Sequence, residues 1–340
     1  MKVPSYVVFG ASGDLARRYL LPALKNIPVQ VIPISRRDYP NLKNIVPKER
    51  EKIFHLAIPP EAVPGALELI ATTFGNDDVK ILLEKPFGED LASAQNLVVH
   101  AEKFFQEEQI FRVDHFLGKD SAQNITRGSW RRENVAKLEI LASEKIGIEG
   151  RVNFYERVGA LRDMIQNHLL ELAALTLSPQ GQGLSPEVRH RLLQSLAIVC
   201  DITKSECVKR GQYEGYREEV GNPSSLTETF VELNLVSDSS EWRGVEIKVA
   251  TGKALSEKFT EVRIYYRDGR KEILSVHPEP DAYEKVIRSA LRGEHELFVS
   301  SEEALESWRI LDAVQESWKT SEDALIIYQK GTELNELISR

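Results

Sequence analysis

The sequence predicts an α/β first part built on a parallel sheet, followed by an α+β second part whose sheet is largely antiparallel. Three observations predict it. Short apolar runs alternate with helical periodicity from the start of the chain to residue 113. The first of these runs ends in a glycine turn that opens a helix, the context in which such a turn binds a dinucleotide. From residue 226 to residue 277 four alternating segments follow one another with only short turns between them.

A chain of 340 residues is long for a single core, and two domains are expected, 1–117 and 118–340. The formal net charge is −8 and no basic stripe offsets it, which argues against a nucleic-acid partner. No apolar run approaches the length of about 20 residues that spans a bilayer, so no membrane partner is expected. The segment MKVPSYVVFG enters a strand at once, unlike a signal peptide. Cys200 and Cys207 read as buried or idle thiols of a reducing compartment, so a cytoplasmic location is expected.

Taken in order, Tyr6-Val7-Val8-Phe9 is a buried parallel strand. GASGDLA follows, Gly10 to Ala16, and leads into a helix through Leu15, Tyr19, Leu20, Ala23 and Leu24. Glycines fall at 10 and 13, while Ser12 and Ala16 take the places of the other two fingerprint glycines. Gly10 permits the tight turn, Ala16 lets helix and strand approach, and the helix N-terminus faces a pyrophosphate. The next strand, 29–35, ends Ser35-Arg36-Arg37 rather than in an acid. Two guanidiniums suit a 2′-phosphate, which favours NADP; Asp38 beside them leaves NAD open.

A strand over 52–60 closes at Pro59-Pro60, a helix covers 61–74, and a buried strand over 79–88 ends at Glu84-Lys85-Pro86. A residue before proline is held extended, so Lys85 is aimed from the carboxyl edge, where ligands bind in open α/β sheets. A helix near 90–107 leads to FRVDHFLGK, 111–119. In nine residues this stretch places Asp114, His115 and Lys119 behind a strand and around two apolar residues, Phe116 and Leu117. An anion site beside a proton-transfer site needs that mixture; a solvated face does not.

Beyond Lys119, 123–130 reads as helical and 134–144 as a strand ending at Glu144. In the run 154–175 the second half is a helix with Asp163 at its start, and an α-helical period puts His168 well round from Asp163. Residues 187–199 read as helical. The segments 226–236, 244–253, 261–268 and 272–277 read as consecutive antiparallel strands, with Lys253 and Lys258 near the turn between the middle two. Helices follow at 281–293 and 302–318.

These pieces resemble the glucose-6-phosphate dehydrogenase family. The matching residues are FGASGDLARRYLLPAL (9–24), ISRRD (34–38), HLAIPP (55–60), LEKPFGEDLASAQ (83–95), FRVDHFLGK (111–119), YERVGALRDMIQNHLLEL (155–172), RGQY (210–213), TGKALSEK (251–258) and PDAYEKVI (280–287). The resemblance implies a Rossmann-like NADP domain, an α+β substrate domain and a homodimer. It also implies that His168 removes the C1 hydroxyl proton of glucose 6-phosphate, oriented by Asp114, while hydride passes to the cofactor to leave a lactone. By the same likeness His115, Lys119 and Lys258 clamp the sugar phosphate, and Glu144, Asp163 and Lys253 hold the sugar hydroxyls. Lys85 bridges substrate and cofactor, and Gly10, Ser12, Gly13, Asp14, Leu15, Arg17 and Arg36 contact the cofactor. No metal is expected.

Three departures stand out. The family usually has tyrosine where Phe116 stands and often glutamine where His277 stands. The chain is shorter than typical members, and strands that normally lie between VHP (276–278) and PDAYEKVI are nearly all missing. Those strands serve subunit contact in the family and, in some members, a second, structural NADP site. Two alternatives follow: a dehydrogenase of another aldose phosphate, or a non-catalytic protein that binds NADP or a sugar phosphate.

Overall fold

The computed structural model describes residues 3–48, 50–131, 133–182, 184–198, 208–320 and 325–339, so Cys200 and Cys207 lie outside the described residues. The chain divides into two compact units, residues 1–120 with 278–305, and 121–277 with 306–340. Among the described residues no helix is long and apolar enough to cross a membrane.

In chain order the first unit contributes strands β1 (Ser5–Phe9), β2 (Gln30–Ile34), β3 (Lys52–Leu56), β4 (Val79–Glu84) and β5 (Ile110–Val113). The second contributes β6 (Val135–Ser143), β7 (Leu196–Ile198), β8 (Val208–Tyr213), β9 (Phe230–Ser237), β10 (Glu246–Gly252), β11 (Phe259–Tyr266) and β12 (Lys271–Ser275). Two late strands follow, β13 (Phe298–Val299) and β14 (Ile326–Tyr328).

The first unit's sheet runs β13-β5-β4-β3-β1-β2, parallel except for β13, which pairs antiparallel with β5. β1 and β3 are buried along their whole length, as their apolar runs require. One helical face packs on them: Ala16, Leu20 and Leu24 from the first helix and Val286, Ile287 and Ala290 from the helix Ala282–Arg292 share a core with Tyr6, Val8 and Ile53. Helix Leu91–Glu102 starts at Asp90, whose carboxylate accepts from the Ser93 N–H at 2.8 Å. Because the strands are parallel, Gly10, Ser35, Ala57, Lys85 and Asp114 all follow strand carboxyl ends along one edge.

The second unit's sheet runs β12-β11-β6-β10-β9-β8-β14, with β7 on β9, and it is mostly antiparallel. It differs from the simple meander expected from sequence. β10 and β11 do not pair; β6 lies between them, parallel to β10 and antiparallel to β11. The loop after β10 is pinned over the end of β6, where the Glu144 N–H donates to Gly252 O and the Leu255 N–H to Glu144 O. The chain therefore re-enters the sheet on the far side of β6.

Two further boundaries differ. The segment 123–130 is helical only to Arg127, since Gly128 takes an extended conformation, and the helix at Pro186–Gln194 stops before β7.

Candidate functional site

The glycine turn after β1 is built as its residues dictate. Gly10 has φ +75°, and a Cβ there would lie 2.1 Å from Ala57 O, so both the conformation and the close approach require glycine. The Gly10 N–H donates to Ile34 O and the Gly13 N–H to Gly10 O. Ser12, Gly13 and Asp14 are exposed at the start of the helix over 14–24, Leu15 is half-buried, and Arg17 is exposed. That helix is π-helical over Ala16–Leu20. At the end of β2, Arg36 and Arg37 are exposed. Asp38 turns back instead, its carboxylate accepting from the Ser35 N–H at 2.8 Å and the Ser35 hydroxyl at 2.6 Å. Those bonds hold its carboxyl below the usual range.

The turn after β5 carries the densest chemistry. Asp114 is fully buried, and the Lys85 ammonium donates to its Oδ2 at 2.8 Å. Its Oδ1 accepts from the Phe116 N–H at 2.9 Å, and its backbone carbonyl from Leu117. A buried carboxylate without such partners would be costly. Here one cation and a backbone amide fix its charge and its orientation. The Lys119 ammonium lies 3.4 Å from the centroid of the Phe116 ring, a cation–π contact that the phenyl ring supplies without a hydroxyl. Gly118 lets the turn meet the helix Ala282–Arg292, since a Cβ there would lie 2.7 Å from Ala282 O. His115 is half-buried and its ring lies parallel to that of Tyr283, centroids 5.9 Å apart.

In the second unit Lys253, 2% exposed, is held between two carboxylates. Its ammonium donates to Glu144 and lies 3.2 Å from Asp163 Oδ2, over the face of Tyr155. Asp163 and His168 share the helical segment Leu161–Leu169, which is π-helical rather than α-helical. With i+5→i hydrogen bonds, positions five apart follow one another about a turn on. The expectation that His168 lies well round from Asp163 is therefore corrected: the wider turn brings both residues to one side. Lys258 is exposed on the loop between β10 and β11. His277 is exposed, and its N–H donates to Ser121 Oγ.

Two supporting groups have no role in the sequence reading. Glu84, the residue before Lys85, is bonded to His55 Nε2 at 2.7 Å and lies 3.4 Å from the Tyr283 hydroxyl; His55 Nδ1 is bonded to the Tyr6 hydroxyl at 2.7 Å. In the second unit Glu228, in the loop before β9, accepts from the Leu161 N–H at 2.9 Å and so caps the helix of Asp163 and His168. Burial pushes its carboxyl up to about 7. HLAIPP and PDAYEKVI contain His55 and Tyr283, but nothing in their spacing shows that the two meet Glu84.

Comparisons with known proteins agree with this architecture. The family model described as the C-terminal domain of glucose-6-phosphate dehydrogenase matches residues 121–279 and 270–338. Its two pieces meet where the sequence reading places the missing strands. The model described as the NAD binding domain of the same enzyme matches residues 29–124. A cytoplasmic glucose-6-phosphate 1-dehydrogenase of Arabidopsis thaliana is 30% identical over 345 residues, covering 83% of this chain and 67% of the relative. A glucose-6-phosphate 1-dehydrogenase of Bacillus subtilis is 26% identical over 458 residues, covering 96% and 94%. A crystal structure of the enzyme from Mycobacterium avium superposes with a TM-score of 0.83 at 25% identity, covering 97% of this chain and 95% of that one. With both family models in order along the chain, the chain belongs to the glucose-6-phosphate dehydrogenase family.

Proposed function

We propose that the chain oxidises glucose 6-phosphate at C1 to 6-phosphoglucono-1,5-lactone and delivers the hydride to NADP, the opening step of the pentose phosphate pathway. The observation that carries the proposal is Asp114, a fully buried carboxylate whose charge Lys85 balances and whose orientation the Phe116 amide fixes. A binding protein has no need of a desolvated, oriented carboxylate; a histidine base does.

In this mechanism His168 takes the proton of the C1 hydroxyl, and Asp114 orients its ring and stabilises the imidazolium. As C1–H leaves with its electron pair, C1 becomes the lactone carbonyl. A bound NADP would supply the acceptor for that hydride in its nicotinamide ring. His115, Lys119 and Lys258 hold the phosphate. Lys253, Glu144 and Asp163 hold the sugar hydroxyls, and the contacts among these three preset their positions before a sugar arrives.

The cofactor site fits the group. The turn at Gly10 has no room for a side chain, and the residues opening the helix over 14–24 are exposed. Arg36 and Arg37 face solvent while Asp38 is engaged with Ser35, which favours a 2′-phosphate over a bare ribose hydroxyl.

The test is His168→Asn. Turnover is expected to fall by about 10²-fold or more, the scale of a lost general base, with NADP affinity unchanged. A variant as active as the parent would refute the mechanism. Turnover of an epimeric or 2-amino analogue above that of glucose 6-phosphate would favour another aldose phosphate.

A further inference from the structure

We propose that Tyr283 is a positioning residue for His115, and that Glu84, held in turn by His55 and Tyr6, fixes it. The proposal rests on the reading of His115 as part of the phosphate clamp and adds to it what holds the imidazole in place.

Tyr283 lies on the helix Ala282–Arg292 and is 7% exposed. One ring neighbour is His115, parallel at 11° with centroids 5.9 Å apart. Another is Tyr19, on the helix that follows the glycine turn, with centroids 5.8 Å apart. Its hydroxyl points to Glu84 Oε2 at 3.4 Å. Burial and the Glu84 charge push that hydroxyl's pKa well above its usual value, so it remains a donor. The Glu84 carboxylate also bonds His55 Nε2 at 2.7 Å. With Nε2–H donating to the carboxylate, a neutral His55 ring accepts the Tyr6 O–H at Nδ1. His55 and Tyr6 are both fully buried on neighbouring strands, β3 and β1. A plain core tyrosine needs no such chain. The chain runs from the middle of the sheet to the imidazole, and the residue after Glu84 is Lys85, the partner of Asp114. One carboxylate at the end of β4 thus anchors the ring that aligns His115, beside the lysine that anchors Asp114.

The experiment compares the parent with Tyr283→Leu, Tyr283→Phe and His115→Asn, measuring kcat, KM for glucose 6-phosphate and NADP affinity by fluorescence titration. Loss of the ring in Tyr283→Leu is expected to raise KM for glucose 6-phosphate by about 2- to 10-fold, the scale of one aromatic pair, with NADP affinity unchanged. Tyr283→Phe keeps the ring face but loses the bond to Glu84, and is expected to raise KM by a smaller factor than Tyr283→Leu; a phenylalanine variant with the parent's KM would overturn the role given to Glu84. This variant also guards against a leucine variant that folds poorly. If His115→Asn raises KM and Tyr283→Leu does not, the positioning role is wrong. An equal loss of NADP affinity in Tyr283→Leu would make Tyr283 merely structural and overturn it as well. If His115→Asn leaves KM unchanged, the clamp reading itself fails and this proposal falls with it.

Discussion

Glu228 offers a prediction whose size follows from the structure. Its carboxylate is buried and caps the helix of Asp163 and His168, with its carboxyl pushed up from 4.5 to about 7 by burial. The backbone N–H of Leu161 and the charges of Arg162 and Arg210 work against that rise but do not cancel it. The folded chain therefore holds this proton more tightly than the unfolded chain does. The group's contribution to stability is fully present below the unfolded value and is lost as pH rises through the folded value. The shift corresponds to about 3 kcal/mol, lost between about pH 4.5 and pH 7. Glu228→Gln keeps an oxygen for the Leu161 N–H and removes the titration. Relative to the parent, the glutamine variant should gain about 3 kcal/mol between pH 5 and pH 8. Urea unfolding followed by tryptophan fluorescence is the assay, because Trp130, Trp242, Trp308 and Trp318, all the tryptophans of the chain, lie in the second unit. Other groups titrate over this range, but they do so equally in both proteins. Parallel stability curves for the two proteins would refute the reasoning. Gly159, whose φ is +64°, makes room for the carboxylate, since a Cβ there would lie 2.3 Å from Glu228 Oε1.

Two more predictions concern the proposed ligands. Arg36→Ala should lower kcat/KM for NADP by about 10- to 100-fold, the value of a charge-assisted contact, and leave kcat/KM for NAD nearly unchanged; initial rates with each cofactor check this. Phe116→Tyr keeps the ring face under Lys119, adds a hydroxyl and should lower KM for glucose 6-phosphate by up to about 10-fold, read from saturation curves; a rise would contradict the gain expected of the hydroxyl.

Where structure depended on local pattern, the sequence was legible. The apolar run of β1, the glycine at 10 and the helix after it follow one another in the chain, and each is dictated by its own residues. The turn after β5 was legible for the same reason, because Asp114, His115 and Lys119 lie within six residues. What escaped was set at a distance. β13 joins the first sheet from residues 298–299, and β6 separates β10 from β11; neither leaves a mark in hydrophobic period. The π-helical turn under His168 adds no residue type of its own, so an α-helical period misplaced that histidine relative to Asp163. The partners of Glu84 and Glu228 come from residues 29, 199 and 67 positions away, where side-chain chemistry alone suggests nothing.

The most direct test is the initial rate of NADP and NAD reduction by the purified chain with glucose 6-phosphate and with unphosphorylated glucose. Rapid NADPH formation with glucose 6-phosphate alone is the predicted result, and it would require the phosphate clamp and the arginines after β2 to work together. Equal rates on glucose, or no reduction of either cofactor, would contradict the account.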